Sequence, residues 1–149
     1  MSYVTENLTT NEEVIRLGKV HWVVFVPSAI LAGIGAWAFQ FALEVSVFLF
    51  AVATFFFLKS LITVISTELA ITNKRVIAKF GLISRETVEL NLSKVESVNV
   101  DQSITGRMLG FGTININGTG GVKTPIPNIS KPMQFKKSAA EKIDEAQPA

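Results

Sequence analysis

The chain contains no cysteine, and among its 149 residues there is a single histidine, His21. No cysteine means no disulfide, no thiolate metal site and no Cys nucleophile. One histidine excludes a histidine-built metal cluster. His21 sits at the edge of a long apolar stretch, where a polar anchor is the simpler reading than a catalytic base. Carboxylates are present, but no pair has a catalytic motif around it. The expectation is a non-enzymatic protein with no cofactor and no metal. Charge is also scarce. The formal net charge is +2, too weak for a nucleic-acid partner, which calls for a clustered basic face. Residues 22–66 hold only Glu44 and Lys59 as charged members.

What the chain has in excess is apolar residues, 48% of the total, with a mean hydropathy of +0.40. They are concentrated in two runs, Val23–Leu43 ("VVFVPSAILAGIGAWAFQFAL") and Val45–Ile65 ("VSVFLFAVATFFFLKSLITVI"). A bilayer core needs roughly 20 apolar helical residues, so each run is long enough. One helix through both would be about 65 Å long, which no membrane requires. The economical reading is a transmembrane helical hairpin over 20–66, with helices at about 22–41 and 46–65 and a turn around Gln40–Ser46. A cleaved leader is the main rival, since Ala36-Trp37-Ala38 resembles a cleavage site, but a second apolar run follows at once. A buried soluble hairpin would need more surrounding protein than exists. Lys59 lies near one end of its run and can snorkel. Arg16 and Lys19 precede the first run, Lys74 and Arg75 follow the second, and the turn carries no Lys or Arg. Both termini are therefore expected in the cytoplasm, with the hairpin in the bacterial inner membrane. Trp22 and Trp37 suit the two interfaces, and Ala32 with Ala36 would permit close helix packing.

Residues 67–149 carry eleven Lys/Arg and eight Asp/Glu, and here the pattern turns to alternation. Val88, Leu90 and Leu92, then Val98 and Val100, then Ile114 and Ile116, and more weakly Val122, Thr124 and Ile126, alternate with polar residues. That is the signature of strands with one buried face. Turn chemistry at Thr72-Asn73-Lys74, Gly81, Asn117–Gly121 and Pro125–Asn128 separates them. "NGTGGVKTP" lacks the spacing and context of a phosphate loop and reads as a tight hairpin. In "SITGRMLGFG", residues 103–112, Ile104, Met108 and Leu109 suggest a helical turn plugging a barrel end. Ser130 is a plausible N-cap, and Pro132 followed by Phe135, Ala139, Lys142 and Ile143 predicts a closing helix. Residues 1–19 read as a polar segment, loosely ordered over 1–15, and residues 67–145 as one domain.

The run "STELAITNKRVIAKFGLISRETVELNLSKVESVNVDQSITGRMLGFGTININGTGG" resembles the bacterial pleckstrin-homology-like domain family of small membrane proteins. The carrying elements are Leu69-x-Ile71-Thr72-Asn73-Lys74-Arg75-Val76-Ile77, Gly81-Leu82-Ile83 with Arg85, Leu92-x-Lys94-Val95-Glu96-Ser97-Val98, and Gln102-Ser103-x3-Arg107-x-Leu109-Gly110-x-Gly112-Thr113, over roughly 66–140. The resemblance implies an α+β membrane protein: a transmembrane hairpin followed by an antiparallel barrel or sandwich of about seven strands with a C-terminal capping helix. It does not choose a function, because such folds host lipid, peptide and protein binding. The expectation is a membrane-tethered module that docks a protein partner or a second copy of itself. The alternative is an anionic-lipid site at Lys74, Arg75, Lys79 and Arg85, diluted by Glu86 and Glu89. A small oligomeric transporter or enzyme is the remaining reading. Arg107, Gly110 and Gly112 are expected to be structural, with Glu96 or Asp101 pairing Arg107.

Overall fold

The structure is a computed structural model, and it describes residues 4, 7–80, 86–119 and 121–147. In chain order its elements are β1 (Val14–Gly18), α1 (Val26–Ala38), α2 (Leu43–Ser66), β2 (Glu68–Thr72), β3 (Arg75–Phe80), β4 (Glu86–Asn91), β5 (Val95–Asp101), α3 (Ile104–Leu109), β6 (Phe111–Gly118), β7 (Val122–Ser130) and α4 (Pro132–Ala146). Short 3-10 turns occupy Trp22–Phe25 and Leu92–Lys94. The strands form two antiparallel sheets, β1-β2-β3-β4 and β5-β6-β7. The sheets meet where the chain after β1 runs beside β7. Ser130 N–H donates to the Lys19 carbonyl, His21 N–H donates to the Asn128 carbonyl, and Val20 bridges Ile129.

Two compact units result. One comprises residues 1–21 and 66–149, the other 22–65. The first unit therefore contains the residues expected to form a separate polar segment. Val14–Gly18 is a strand of the sheet, paired with β2 at Val14↔Thr72, Leu17↔Ala70 and Gly18↔Leu69. The apolar segment is an insertion between two neighbouring strands.

The core of the β unit lies between the sheets and α4. Leu69, Ile71, Val76, Ala78, Val98, Ile114, Ile116, Ile126 and Ile129 meet Phe135, Ala139 and Ile143 there. The last three recur every fourth residue, so one stripe of α4 faces the sheets. Pro132 opens α4 in its first turn, as its missing N–H allows. The cap is Lys131, in left-handed conformation at φ 50°, with no side-chain cap bond. Ser130, expected as the cap, instead ends β7. In β6 Ile114 and Ile116 face the core as the alternation predicts, but Asn115 between them is buried too, and β2 is buried on both faces from Leu69 to Thr72. The reason is the N-terminal arm. Val4, Leu8 and Val14 pack on Ala70 and Ile77, covering the outer face of the first sheet.

The second unit is a helical hairpin turning at residues 39–42. Ser46 Oγ donates to the Gly35 carbonyl at 2.9 Å and Ser60 Oγ donates to the Val24 carbonyl at 2.6 Å, which ties the two helices along their length. A side chain at Gly35 would come within 3.3 Å of Leu49, so the close approach rests on Gly35 rather than on the Ala32/Ala36 pair, of which Ala36 is exposed. The 24-residue α2 is long and apolar enough to cross a membrane. The 13-residue α1 with its preceding 3-10 turn ends at Ala38, short of the expected 22–41, and is below that length by itself. α2 starts three residues earlier than expected.

Phe135 is 2% exposed at the centre of the core. Phe135→Ala is expected to destabilise the β unit by about 3–5 kcal/mol through lost burial and the cavity left behind. Lys137→Ala on the exposed side of the same helix should change stability by less than about 0.5 kcal/mol. Denaturant unfolding of the detergent-solubilised chain, followed by the circular dichroism of the strands, measures both.

Candidate functional site

The first hairpin, β2–β3, was the sequence's basic candidate. Its outer face carries Arg75 and Lys79, and the N-terminal arm crosses that face. Arg75 clamps the arm. Its Nε donates to Glu12 Oε1 at 2.9 Å and one Nη to Glu12 Oε2 at 3.0 Å, the two-pronged geometry that suits guanidinium to carboxylate. The same Nη reaches the Asn7 carbonyl at 2.8 Å, and the other donates to Glu89 at 2.6 Å. Glu12 is held from the remaining directions by the Thr9 backbone N–H, the Thr9 hydroxyl and the Thr72 hydroxyl, each at 2.8 Å. The Glu12 side chain is fully buried, and Arg75 is 17% exposed.

Burial alone would push the Glu12 carboxyl up. The hydrogen bonds from Arg75, Thr9 and Thr72 outweigh it and hold the group at about 2, against an ordinary 4.5. Reciprocally, the hydrogen bond to Glu12 raises the Arg75 guanidinium. Lys74, at the turn, donates to the Thr10 carbonyl at 2.6 Å, again on the arm. Lys79 is half-buried on the same face. Arg85 and Gly81-Leu82-Ile83 lie outside the described residues. The structure thus brings Lys74 and Arg75 together, but around the protein's own arm. Glu12 and Thr9, which went unnoticed in the sequence, and Thr72, expected only in a turn, complete this cluster. The available signal was the β-branched start of "VIRLG", which makes residues 14–18 a strand and brings the arm back over the sheet.

The "QSITGRMLGFG" stretch folds into a rigid corner. Ser103 caps α3 by accepting the Gly106 N–H at 3.1 Å, and Gly110 ends the helix at φ 80°, a conformation only glycine adopts without strain. Gln102 Nε2 donates to the Gly106 and Phe111 carbonyls at 3.3 and 2.9 Å. A side chain at Gly112 would lie 2.8 Å from the Asp101 carbonyl, so the close approach of β6 requires glycine.

Arg107 differs from expectation. Asp101 accepts instead from Asn115 Nδ2 at 2.6 Å, Glu96 is exposed on β5, and among the described residues no hydrogen bond or ion pair engages the Arg107 guanidinium. Nor does α3 plug a barrel end. Ile104 and Met108 are each 81% exposed. Arg107 borders a cleft of about 870 Å³ that also includes Asp101, Phe111, Asn128, Met133 and Lys136. Sequence reasoning missed Asn128 and Lys136, because the strands and helix carrying them meet only in the folded unit. Among the described residues no group of three His, Asp or Glu could hold a metal.

A family model described as "Bacterial PH domain" matches residues 14–143, most of the chain. The match begins at the first residue of β1 and ends at the last core residue of α4. It therefore takes in β1 and the apolar insertion, beyond the expected 66–140. No curated protein and no solved structure matches the chain.

The Glu12 latch should be sensitive to acid. The carboxyl is lower in the folded chain than its ordinary value of 4.5, so its stabilisation is complete above about pH 5 and is lost as pH falls towards 2. The loss should be of order 2–3 kcal/mol. Glu12→Gln should show most of that loss already at pH 7, with a flatter profile below pH 5. Arg75→Ala, which strands a buried carboxylate, should cost about 3–5 kcal/mol at neutral pH. Thermal melts of the three proteins from pH 7 to pH 2.5 measure all of this.

Proposed function

The chain belongs to the bacterial PH domain family, and we propose that it is a membrane-anchored, non-enzymatic binding and assembly module whose β unit works at the cytoplasmic face of the inner membrane. PH-like domains are in general binding modules. One observation carries the even number of crossings, namely the pairing of β1 with β2 across the apolar insertion. Gly18 and Leu69 are register partners, about 5 Å apart. The chain that leaves at Gly18 must return to the same place at Leu69. An odd number of membrane crossings cannot do this, whereas a two-helix hairpin can.

The composition of the second unit supports lipid around it. Only 11% of the most apolar stretch of α2 is buried, and Phe48, Phe55, Leu58 and Ile65 are all more than half exposed. So large an apolar surface does not stand in water. Trp22, in the 3-10 turn before α1, and Trp37, in the last turn of α1, are both exposed, as aromatic residues at the two membrane interfaces would be. Arg16, Lys19, Lys74 and Arg75 all lie on the β-unit side, and residues 39–42 carry no charge, which orients the unit to the cytoplasm.

For docking, the β4 edge is the best candidate. Among the described residues β4 pairs only with β3, and its Thr87, Glu89 and Asn91 are exposed. Such an edge accepts an added strand from a protein partner or from a second copy. Lipid recognition by the first hairpin is less well supported, since Arg75 is engaged by Glu12, Glu89 and Asn7.

The cysteine-free chain makes a direct test simple. In intact cells Glu44→Cys is expected to react with a membrane-impermeant maleimide, and Asn99→Cys only after permeabilisation. Equal protection of both would overturn the two-crossing arrangement. A photo-crosslinker at Thr87 should trap one discrete protein or a second copy, and one at Lys137 should not. Equal adducts at both positions would remove β4 as the docking edge.

A further inference from the structure

β4 is an open sheet edge, and its register shows which backbone groups are open. Leu92 N–H donates to the Lys74 carbonyl at 3.0 Å, one step beyond the last β3–β4 pair, Arg75↔Asn91. In an antiparallel ladder the bonded pairs alternate. Counting back in twos from Leu92, Leu90 and Val88 bond to Val76 and Ala78 of β3. Thr87, Glu89 and Asn91 then direct their N–H and C=O groups away from β3, and all three residues are exposed. Nothing in β4 guards this edge. Its sequence, "ETVELN", has no Lys, Arg or Pro, and its pairing with β3 runs from Glu86 to Asn91 without a bulge. Sheet edges are ordinarily blunted by those devices. The open edge of the second sheet, β5, has one of them, a register shift between Val95 and Ser97.

We propose that the occupant of this edge is β4 of a second copy of the chain, paired antiparallel about a twofold axis at Val88. The inference rests on the reading of β4 as the docking edge and narrows it to one partner. It lies wholly within the β unit. A twofold pairing sets the strand against itself, so its residues must suit their own counterparts. The registers that pair most of the strand centre on Val88, Glu89 or Leu90. Centring on Glu89 puts two carboxylates side by side, which opposes pairing. Centring on Leu90 carries the strand into the 3-10 turn at Leu92–Lys94. Centring on Val88 uses only β4, from Glu86 to Leu90. Thr87 then lies opposite the partner's Glu89, where its hydroxyl can donate to the carboxylate, and symmetry makes this contact twice. Lys79 is the register partner of Thr87, so one row of the joined sheet runs from a cation through a hydroxyl to a carboxylate. On the other face Val88, half-buried against the core, meets its own counterpart, an apolar β-branched pair. The first sheets of the two copies become one continuous antiparallel sheet, and the outward N–H and C=O groups of Thr87 and Glu89 are paired.

The test uses the full-length, cysteine-free chain in isolated membranes. Two differently tagged copies are co-expressed, one with Thr87→Cys and one with Glu89→Cys, and oxidised with copper phenanthroline. Opposed residues of a bonded pair have Cα atoms about 5.5 Å apart, within reach of a disulfide, whereas each variant's own counterpart lies two residues further along and out of reach. The mixed pair should crosslink, and neither variant alone should. Crosslinking by either variant alone that equals or exceeds the mixed pair overturns the pairing centred on Val88. Edge charge gives a second readout that leaves the core untouched. In detergent micelles Thr87→Glu, set twice against the partner's Glu89, should raise the dissociation constant of the dimer roughly tenfold, and Thr87→Lys should not raise it. A chain that stays monomeric, or a dimer weakened alike by both variants or by neither, overturns the pairing. The wider reading of the edge fails separately. No self-crosslink, with one discrete other protein trapped by a photo-crosslinker at Thr87, overturns the second copy and leaves β4 as the docking edge. No adduct of either kind overturns both.

Discussion

The pairing of β1 with β2 is the constraint on which the rest of the structure depends. Gly18 opposite Leu69 joins two pieces of chain separated by the whole apolar segment. Closing so long a loop costs conformational entropy before any contact repays it, though the cost rises only slowly with loop length. A hairpin of helices that holds its own ends together, through Ser46 to Gly35 and Ser60 to Val24, reduces that cost. The sheet and the hairpin are in this sense mutually supporting. Each brings the ends of the other to one place.

The arm that precedes β1 completes the sheet. A four-stranded antiparallel sheet with a core on one face would ordinarily leave the other face to water, with polar residues on it. Here that face carries Ala70 and Ile77, and Val4 and Leu8 cover them. The buried Glu12–Arg75 pair sits at the end of this cover. Buried ion pairs are not generally efficient stabilisers, because desolvation opposes the attraction. What this one supplies is position. The two-pronged contact, with Thr9 and Thr72 filling the remaining sites on the carboxylate, allows the arm a single register on the sheet.

The basic residues of the β unit consequently divide into two groups with different physics. Arg75 neutralises Glu12 and bonds the Asn7 carbonyl, and Lys74 bonds the Thr10 carbonyl, so both are engaged by the arm. Arg107, Lys131 and Lys136 gather at the other candidate region, around α3 and the start of α4, where Asp101 is the single carboxylate lining the cleft and is held by Asn115. A count of positive charges along the sequence favours the first group, which is dense and close to the apolar segment. Only the partners distinguish a charge that is satisfied from one that still faces outwards.

The sequence by itself determined the elements whose signals are local. Most of each apolar run became helix, with Pro27 confined to the first turn of α1, where its missing N–H does no harm. The alternation at Ile114 and Ile116 became a strand that turns both side chains to the core. Pro132, Phe135, Ala139 and Ile143 became a closing helix, and Gly110 and Gly112 became the points where the backbone turns left-handed or packs too closely for a side chain. Tertiary structure decided everything that depends on residues far apart in the chain. Glu12 lies 63 positions from Arg75, and no period of 2 or 3.6 residues links them. The arm reads as loosely ordered in the sequence because its two covering apolar residues, Val4 and Leu8, mean nothing until a sheet with an apolar outer face lies beneath them. α3, expected to plug a barrel end, turns its apolar face outwards for the same reason. Ile104, Met108 and Leu109 mark an apolar face on a short helix, but whether that face turns to the core or away from it depends on Gln102 and Gly112, which fix the corner only when β5 and β6 are paired.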